Sequence, residues 1–308
     1  KSMKVGIFYS SITNIHKAPH KENLMDCFCD GVNVCGDEVI EFRSISDNIP
    51  KLDAGFILGY TLENNYRKRI IDILKLQRAK IIFVDSNIFS YGRASHFYHR
   101  YSVNSVYPTD GEYFLGDQRY NSKLDNILTH HKLAMEPWRQ NGDHILVLGQ
   151  RTLSWNMPNQ NGLDWITNVI KRLKKITDRK IIVRLHPGDK SFNTENKKKL
   201  HSLYGRKGVA ISNNENIRTD LANAWCSVGF NSTPNCVSVI QGIPVYLDDP
   251  LNSWACDVGF DDINLIETPI MTDRTQWLDK IAHIHWSNDE ISSGKYWSRF
   301  KSFYQCMT

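Results

Sequence analysis

The stretch Ile181–Asp189, IIVRLHPGD, constrains the fold more than any other part of the chain. Ile181, Ile182 and Val183, continued by Leu185, form the apolar β-branched run of a strand buried on both faces, which belongs to a parallel sheet. Polarity then changes at once through Arg184, His186, Pro187, Gly188 and Asp189. Pro187 cannot continue a central strand, and Gly188 permits a sharp turn. Arg184 and His186 are therefore expected at the C-terminal edge of the sheet, where open α/β sheets bind ligands. A second stretch has the same grammar: Cys226–Phe230 reads as a short strand, followed by Asn231, Ser232 and Thr233, then Pro234 in the first turn of a helix. The free N–H groups of a helix start, joined by nearby hydroxyls, hold an anion. Plainer readings stand beside these. Ser232 or Thr233 serves as an ordinary N-cap, His186 as a satisfied core histidine, and Arg184 as an ion-pair partner of Asp189.

Around these stretches the chain alternates strand and helix. Strands are predicted at 3–9, 38–42, 54–59 and 80–85, with helices at 23–34 and 64–78. A second series begins at His144–Gly149 and runs through strands at 181–185, 209–212, 226–230 and 244–247. This βαβ rhythm predicts parallel sheets flanked by helices. A linker is expected at Pro137–Gly142, giving domains 1–139 and 140–285 and a helical tail over 286–308. No G-x-G-x-x-G follows the first strand, so that dinucleotide fingerprint is absent.

The rhythm breaks between Ser86 and Arg119. That segment holds Tyr91, Arg93, Phe97, Tyr98, Arg100 and Tyr101, followed by Asp110, Gly111 and Glu112. So long a stretch without regular structure points to function, and aromatics interleaved with arginines suit stacking on a base or sugar. An interdomain packing surface is the alternative.

Composition sets looser bounds. The 308 residues carry a net charge of +5 and 41% hydrophobic content, enough for two real cores and compatible with an anionic ligand. Seven scattered cysteines show no zinc spacing and read as free thiols of a reducing, cytoplasmic compartment. No apolar run suits a membrane span, and no signal peptide is visible. Lys171–Lys175 and Lys197–Lys199 read as solvated helix faces, or as phosphate-tracking runs of a non-catalytic nucleic-acid-binding protein.

The pair R-x-H-P-G-D at Arg184–Asp189 and G-x-N-S-T at Gly229–Thr233, with Gly242-Ile243-Pro244-Val245 behind it, resembles the HP and Ser/Thr motifs of GT-B glycosyltransferases. The likeness is to the sialyl- and Kdo-transferase-like capsule-polysaccharide enzymes, and the tail Trp286…Glu290…Trp297 resembles their ending. Pro137-Trp138-Arg139, Gly142, His144-Ile145-Leu146 and Gln150-Arg151 are also similar to glycosyltransferase-like proteins of tailed phages. The resemblance implies two Rossmann-like domains facing a cleft, with a final helix crossing back to the N-terminal domain. It implies a nucleotide-sugar donor, UDP-linked by preference or CMP-linked, with no cofactor and no metal.

On that reading Gln150, Arg151, Arg184, His186, Pro187, Asn231, Ser232 and Thr233 would bind the donor and its phosphates. An inverting reaction would need a general base on the acceptor side. Asp110 and Glu112 are the first candidates, His16 and His20 rivals, and Asp85 a further one. His16, His20, Tyr91, Arg93, Tyr98, Arg100 and Tyr101 would bind the acceptor. The phage likeness implies 5-hydroxymethylcytosine in double-stranded DNA, flipped out and stacked; a surface polysaccharide is the alternative. A sugar-nucleotide epimerase or sensor of the same shape also stays open.

Overall fold

A computed structural model describes residues 2–63, 65–89, 96–113, 122–151, 155–205 and 207–305. The chain divides into two compact units, Lys1–His131 together with Asp279–Thr308, and Lys132–Leu278.

The first unit starts with β1 (Lys4–Phe8), α1 (Pro19–Val34), β2 (Glu38–Phe42), β3 (Ala54–Leu58), α2 (Tyr66–Leu76), β4 (Lys80–Ser86), β5 (Tyr98–Val103) and α3 (Lys123–His131). The second holds β6 (His144–Leu148), α4 (Gly162–Leu173), β7 (Lys180–Arg184), α5 (Lys190–Tyr204), β8 (Val209–Ile211), α6 (Ile217–Leu221), β9 (Ala224–Gly229), α7 (Pro234–Ile240) and β10 (Val245–Leu247). Helix α8 (Thr275–His283) leads out of it, and β11 (His285–Ser287), α9 (Asn288–Ser292) and α10 (Lys295–Gln305) complete the first unit.

The first sheet has the order β11-β5-β4-β3-β1-β2. Its β1 to β4 pair in parallel, while β5 and β11 run antiparallel. The second, β10-β9-β6-β7-β8, is parallel throughout. Parallel strands need crossovers of about a dozen residues or more; helices supply most of them, while β2 leads to β3 through 43–53 without one. Leu24, Met25, Phe28 and Val32 of α1 pack on Val5, Ile7 and Phe56 of the sheet, with Trp297 and Phe300 of α10 in the same core. In the second unit, Trp165, Ile166, Val169 and Ile170 of α4 cover Ile145, Val147, Ile181 and Val183. These cores bury the apolar faces that the alternation implied. The fold is two Rossmann-like α/β domains.

Three features differ from the sequence reading. Tyr98–Val103 is a strand inside the stretch read as irregular, and every residue of it is buried. Trp286 lies in β11, with the helix beginning only after Ser287, whose side chain and Glu290 form a capping box. The unit boundaries fall at 131/132 and 278/279, where the sequence suggested 139/140 and 285/286. Backbone bonds explain the first of these: Glu136 N–H donates to Ile240 O and Arg139 N–H to Gly242 O, tying the linker to the second unit. Gly242 is required there. Its φ is 75°, and a Cβ would lie 2.0 Å from Pro137 O.

Candidate functional site

The second sheet grows outward from β6, to β7 and β8 on one side and then to β9 and β10 on the other. The reversal falls between β6 and β9. In open α/β sheets the crevice at this switch point, outside the strands' carboxyl ends, is the ligand site. Gln150 follows β6 and Asn231 follows β9, and the two meet there: Asn231 N–H donates to Gln150 Oε1 at 2.8 Å. The Asn231 side-chain amide donates to Asn156 O at 2.7 Å and to Asp249 Oδ2 at 2.9 Å. Both residues are buried, yet Gln150 Nε2 and Asn231 Oδ1 have no hydrogen-bond partner among the described residues. Buried amide atoms left this way are costly.

Beside this pair, β7 ends in the turn carrying His186. Gly188 N–H donates to His186 Nδ1 at 2.9 Å. Burial holds the imidazole below its ordinary pKa; Arg151 pushes the same way and Asp189 opposes. The ring is therefore neutral at pH 7, and with Nδ1 accepting, its proton sits on Nε2 as a donor. Arg151 is exposed. Pro187 stops the strand, and Asp189 leads into α5.

Arg184 is committed elsewhere. Its guanidinium pairs with Asp220 Oδ2 at 2.7 Å and donates to the carbonyls of Asn214 at 2.7 Å and Glu215 at 2.8 Å. Asp220 also accepts from Ser212 Oγ at 2.7 Å and Asn214 Nδ2 at 2.6 Å, while its own carbonyl accepts from His144 Nε2 at 2.8 Å. Arg184 thus braces the loop after β8, and its partner is Asp220 in place of the Asp189 suggested by the sequence.

Ser232 is buried and Thr233 half-buried at the start of α7, and neither hydroxyl caps that helix. Gly229 lets α7 approach β9, since a Cβ there would sit 2.0 Å from Asn235 Nδ2. The neighbouring carboxylates are occupied. Asp248 accepts from Trp165 Nε1 at 2.6 Å, from Arg172 at 3.0 Å and from the Tyr246 hydroxyl. Asp249 accepts from Asn231 and, at 3.0 Å, from Asn252. Among the described residues no group of three or more His, Cys, Asp or Glu side chains is arranged to hold a metal ion.

The first unit presents its candidates differently. Tyr101 is a core residue, stacked with Phe28 and Phe56 at centroid distances of 6.5 and 6.0 Å. Tyr98 is buried against Phe97 and His130. Arg100 is buried, pairs with Asp85 Oδ2 at 3.2 Å and donates to Ser86 O at 2.8 Å. These three therefore offer no open stacking platform: pairing of β5 with β4 and β11 encloses them. Tyr91 and Arg93 lie outside the described residues. Asp110 is exposed in a turn. Glu112 accepts a hydrogen bond from the Tyr304 hydroxyl. His16 is exposed, and His20 is half-buried, its ring stacked on His96.

Sequence reasoning missed Asn156 and Asp220 as supports of this region. The Asp248-Asp249 pair was visible, but its bonding to Trp165 and Asn231 depends on elements far apart in the chain.

No protein-family model matches the chain, and no curated protein matches it. Solved structures do. The β-Kdo 2,4 transferase of Thermosulfurimonas dismutans KpsC is 15% identical over 92% of this chain and 90% of that one, with a TM-score of 0.58. The β-Kdo 2,7 transferase of the same KpsC is 11% identical over 97% of this chain and 100% of that one, with a TM-score of 0.54. The fold is accordingly GT-B-like, shared with these structures across both units.

Proposed function

We propose that this chain is a glycosyltransferase that takes a sugar from a nucleotide donor held at the C-terminal strand ends of the second unit. The observation that carries the reading is the meeting of Gln150 and Asn231 at the switch point, with two buried amide atoms left for a ligand. Around it, His186 Nε2–H and Arg151 supply a donor and a positive charge to the leaving phosphate, and Ser232 and Thr233 supply hydroxyls. Arg184 acts through Asp220, as a positioning residue. The transfer forms a bond from the anomeric carbon to the acceptor oxygen and breaks its bond to the phosphate oxygen. For an inverting enzyme the acceptor proton passes to a carboxylate of the first unit, and Asp110, exposed beside Gly111, suits that role better than Glu112, which is bound by Tyr304.

The acceptor we favour is a saccharide hydroxyl of a surface polysaccharide. The two similar structures are β-Kdo transferases, which is in keeping with an acidic sugar, and we carry a CMP-linked sugar beside UDP-sugars as donor. A DNA hydroxymethylcytosine acceptor is the competing reading; burial of Tyr98 and Tyr101 takes two of the aromatic residues that recommended it out of a base's reach.

The test is a transfer assay with UDP-glucose, UDP-arabinose and CMP-sialic acid against acidic oligosaccharides and hydroxymethylcytosine duplex DNA, in EDTA, reading product mass. Sugar added to an oligosaccharide supports the reading, and sugar added to DNA replaces the acceptor. His186→Ala and Ser232→Ala should each weaken nucleotide binding. Wild-type affinity and turnover in both variants would remove the site from these strand ends.

A further inference from the structure

Three histidines meet at the edge of the first sheet where β1 and β4 end. His20 stands in the first turn of the sixteen-residue helix α1, and its ring stacks on His96 at 3.9 Å with an interplanar angle of 3°. His99 is the second residue of the buried strand β5, across the register from Ser86 of β4 and Trp286 of β11. It is 8% exposed, and its Nδ1 has no hydrogen-bond partner among the described residues. The Ala18 N-cap of α1 makes no side-chain bond to the helix start, where Pro19 brings no N–H and the Lys21 N–H donates to Ala18 O, so the His20 N–H is, among the described residues, the one left to a ligand.

This arrangement is poorly suited to any charge of its own. Two stacked imidazoles repel when protonated, and the positive end of a helix opposes a cation in its first turn. The surrounding groups do not relieve this. Lys21 follows His20 and adds repulsion, Glu22 is a residue further on, and Asp85 is already paired with Arg100. Asn288 of α9 donates to the His96 carbonyl, leaving the ring unaffected, and Asp289 follows it. What would satisfy a helix N-terminus, three imidazoles and an orphaned Nδ1 together is an oxyanion.

We propose that His20, His96 and His99 with the start of α1 form a binding site for the carboxylate or phosphate of an acidic saccharide, taken up together with a proton. Naming that saccharide as the acceptor rests on the glycosyltransferase reading; the site itself does not. Burial first, then repulsion from neighbouring imidazoles, pushes His99 down to about 4 and lowers His20. His20 and His99 are thus neutral at pH 7, and an anion bound beside them raises their values and draws a proton in.

The experiment is calorimetric titration of the whole chain with glucuronate, glucose 6-phosphate and neutral glucose between about pH 7.5 and about pH 5.5, in buffers of different ionisation enthalpy so that proton uptake is read directly. One or both acids should bind, glucose should not, and affinity should rise up to about tenfold per pH unit where one proton is taken up. Which acid binds tells the carboxylate source from the phosphate source. His99→Gln should lose at least about tenfold in affinity, as expected for a charge-assisted bond. His96→Gln, at a half-buried position, provides the second variant if His99→Gln does not fold. The proposal is overturned by absence of binding of both acids, by binding without proton uptake, or by unchanged affinity in the folded variants. Donor-nucleotide affinity measured on the same samples separates the two ideas. Nucleotide binding without acid binding removes only this site, and acid binding without nucleotide binding removes only the transferase reading.

Discussion

Asn231 reaches Gln150 through its backbone and Asp249 through its side chain, so one residue ties together the ends of β6, β9 and β10. Asn231→Ala removes the bonds to Asn156 and Asp249 but keeps the backbone bond to Gln150. Loss of bonds made by a buried amide costs about 1–3 kcal/mol. A lowered urea midpoint with an unchanged slope, together with weaker nucleotide binding, is the expected pair of results. Equal stability and equal binding would show that the tie is dispensable.

The ion pair of Arg184 and Asp220 is shielded from water, with side-chain exposures of 13% and 2%. Breaking a buried pair from one side leaves a lone charge and costs about 3–5 kcal/mol. Asp220→Asn should therefore lower the stability of the fold by a cost of that order. If Arg184 instead touched the donor phosphate, Arg184→Met would reduce affinity with little loss of stability. Thermal unfolding and nucleotide titration of the same variant distinguish the two.

Gly229 admits α7 to the sheet only because it lacks a side chain. Gly229→Ala places a methyl group against the Asn235 amide and should cost more than about 1–3 kcal/mol, the usual range for overpacking. Adding Asn235→Ala should recover part of the loss, visible as a favourable coupling energy in a double-mutant cycle. Strict additivity would mean that the clash is relieved elsewhere.

His285 is fully buried, donates from Nδ1 to Ile281 O at 2.7 Å and accepts from Ile88 N–H at 3.1 Å on Nε2. Burial lowers its pKa far below the ordinary value, so the folded state keeps it neutral. Its contribution is complete above the unfolded pKa of about 6.5 and is lost as pH falls toward the folded value. Stability measured by urea at successive pH values should decline below about pH 6.5, by up to about 1.4 kcal/mol per pH unit per such group. His285→Gln should flatten the decline; the same slope in that variant would assign the effect to other groups.

Much of the architecture was written in local pattern. Glu38–Phe42 was predicted as a strand and is β2, and the apolar run at Ile181 forms the body of β7. Such segments carry their own periodicity or a β-branched run bounded by turn residues. The strand Tyr98–Val103, YHRYSV, carries neither, being held by pairing with β4 and β11 at both sides. The three residues of β11 are too few to show a period at all. In the candidate site, the positions of His186 and Asn231 followed from Pro187 and Pro234, local breakers with fixed consequences. The fate of Arg184 did not, because Asp220 lies 36 residues away and no spacing rule links them. Aromatic residues misled for a related reason: Tyr98 and Tyr101 have the same composition whether they face a ligand or fill a core.

The return of Asp279–Thr308 to the first unit sets an order of assembly. The second unit is one unbroken run of chain, complete once Leu278 has been made, whereas the first must keep its β5 edge uncovered and its α1 face partly bare until β11 and α10 arrive. During synthesis the unit begun first is therefore, of these two, the one finished last. Throughout that interval its exposed strand edge and aromatic core surface are the places where a nascent chain would meet chaperones or mispair.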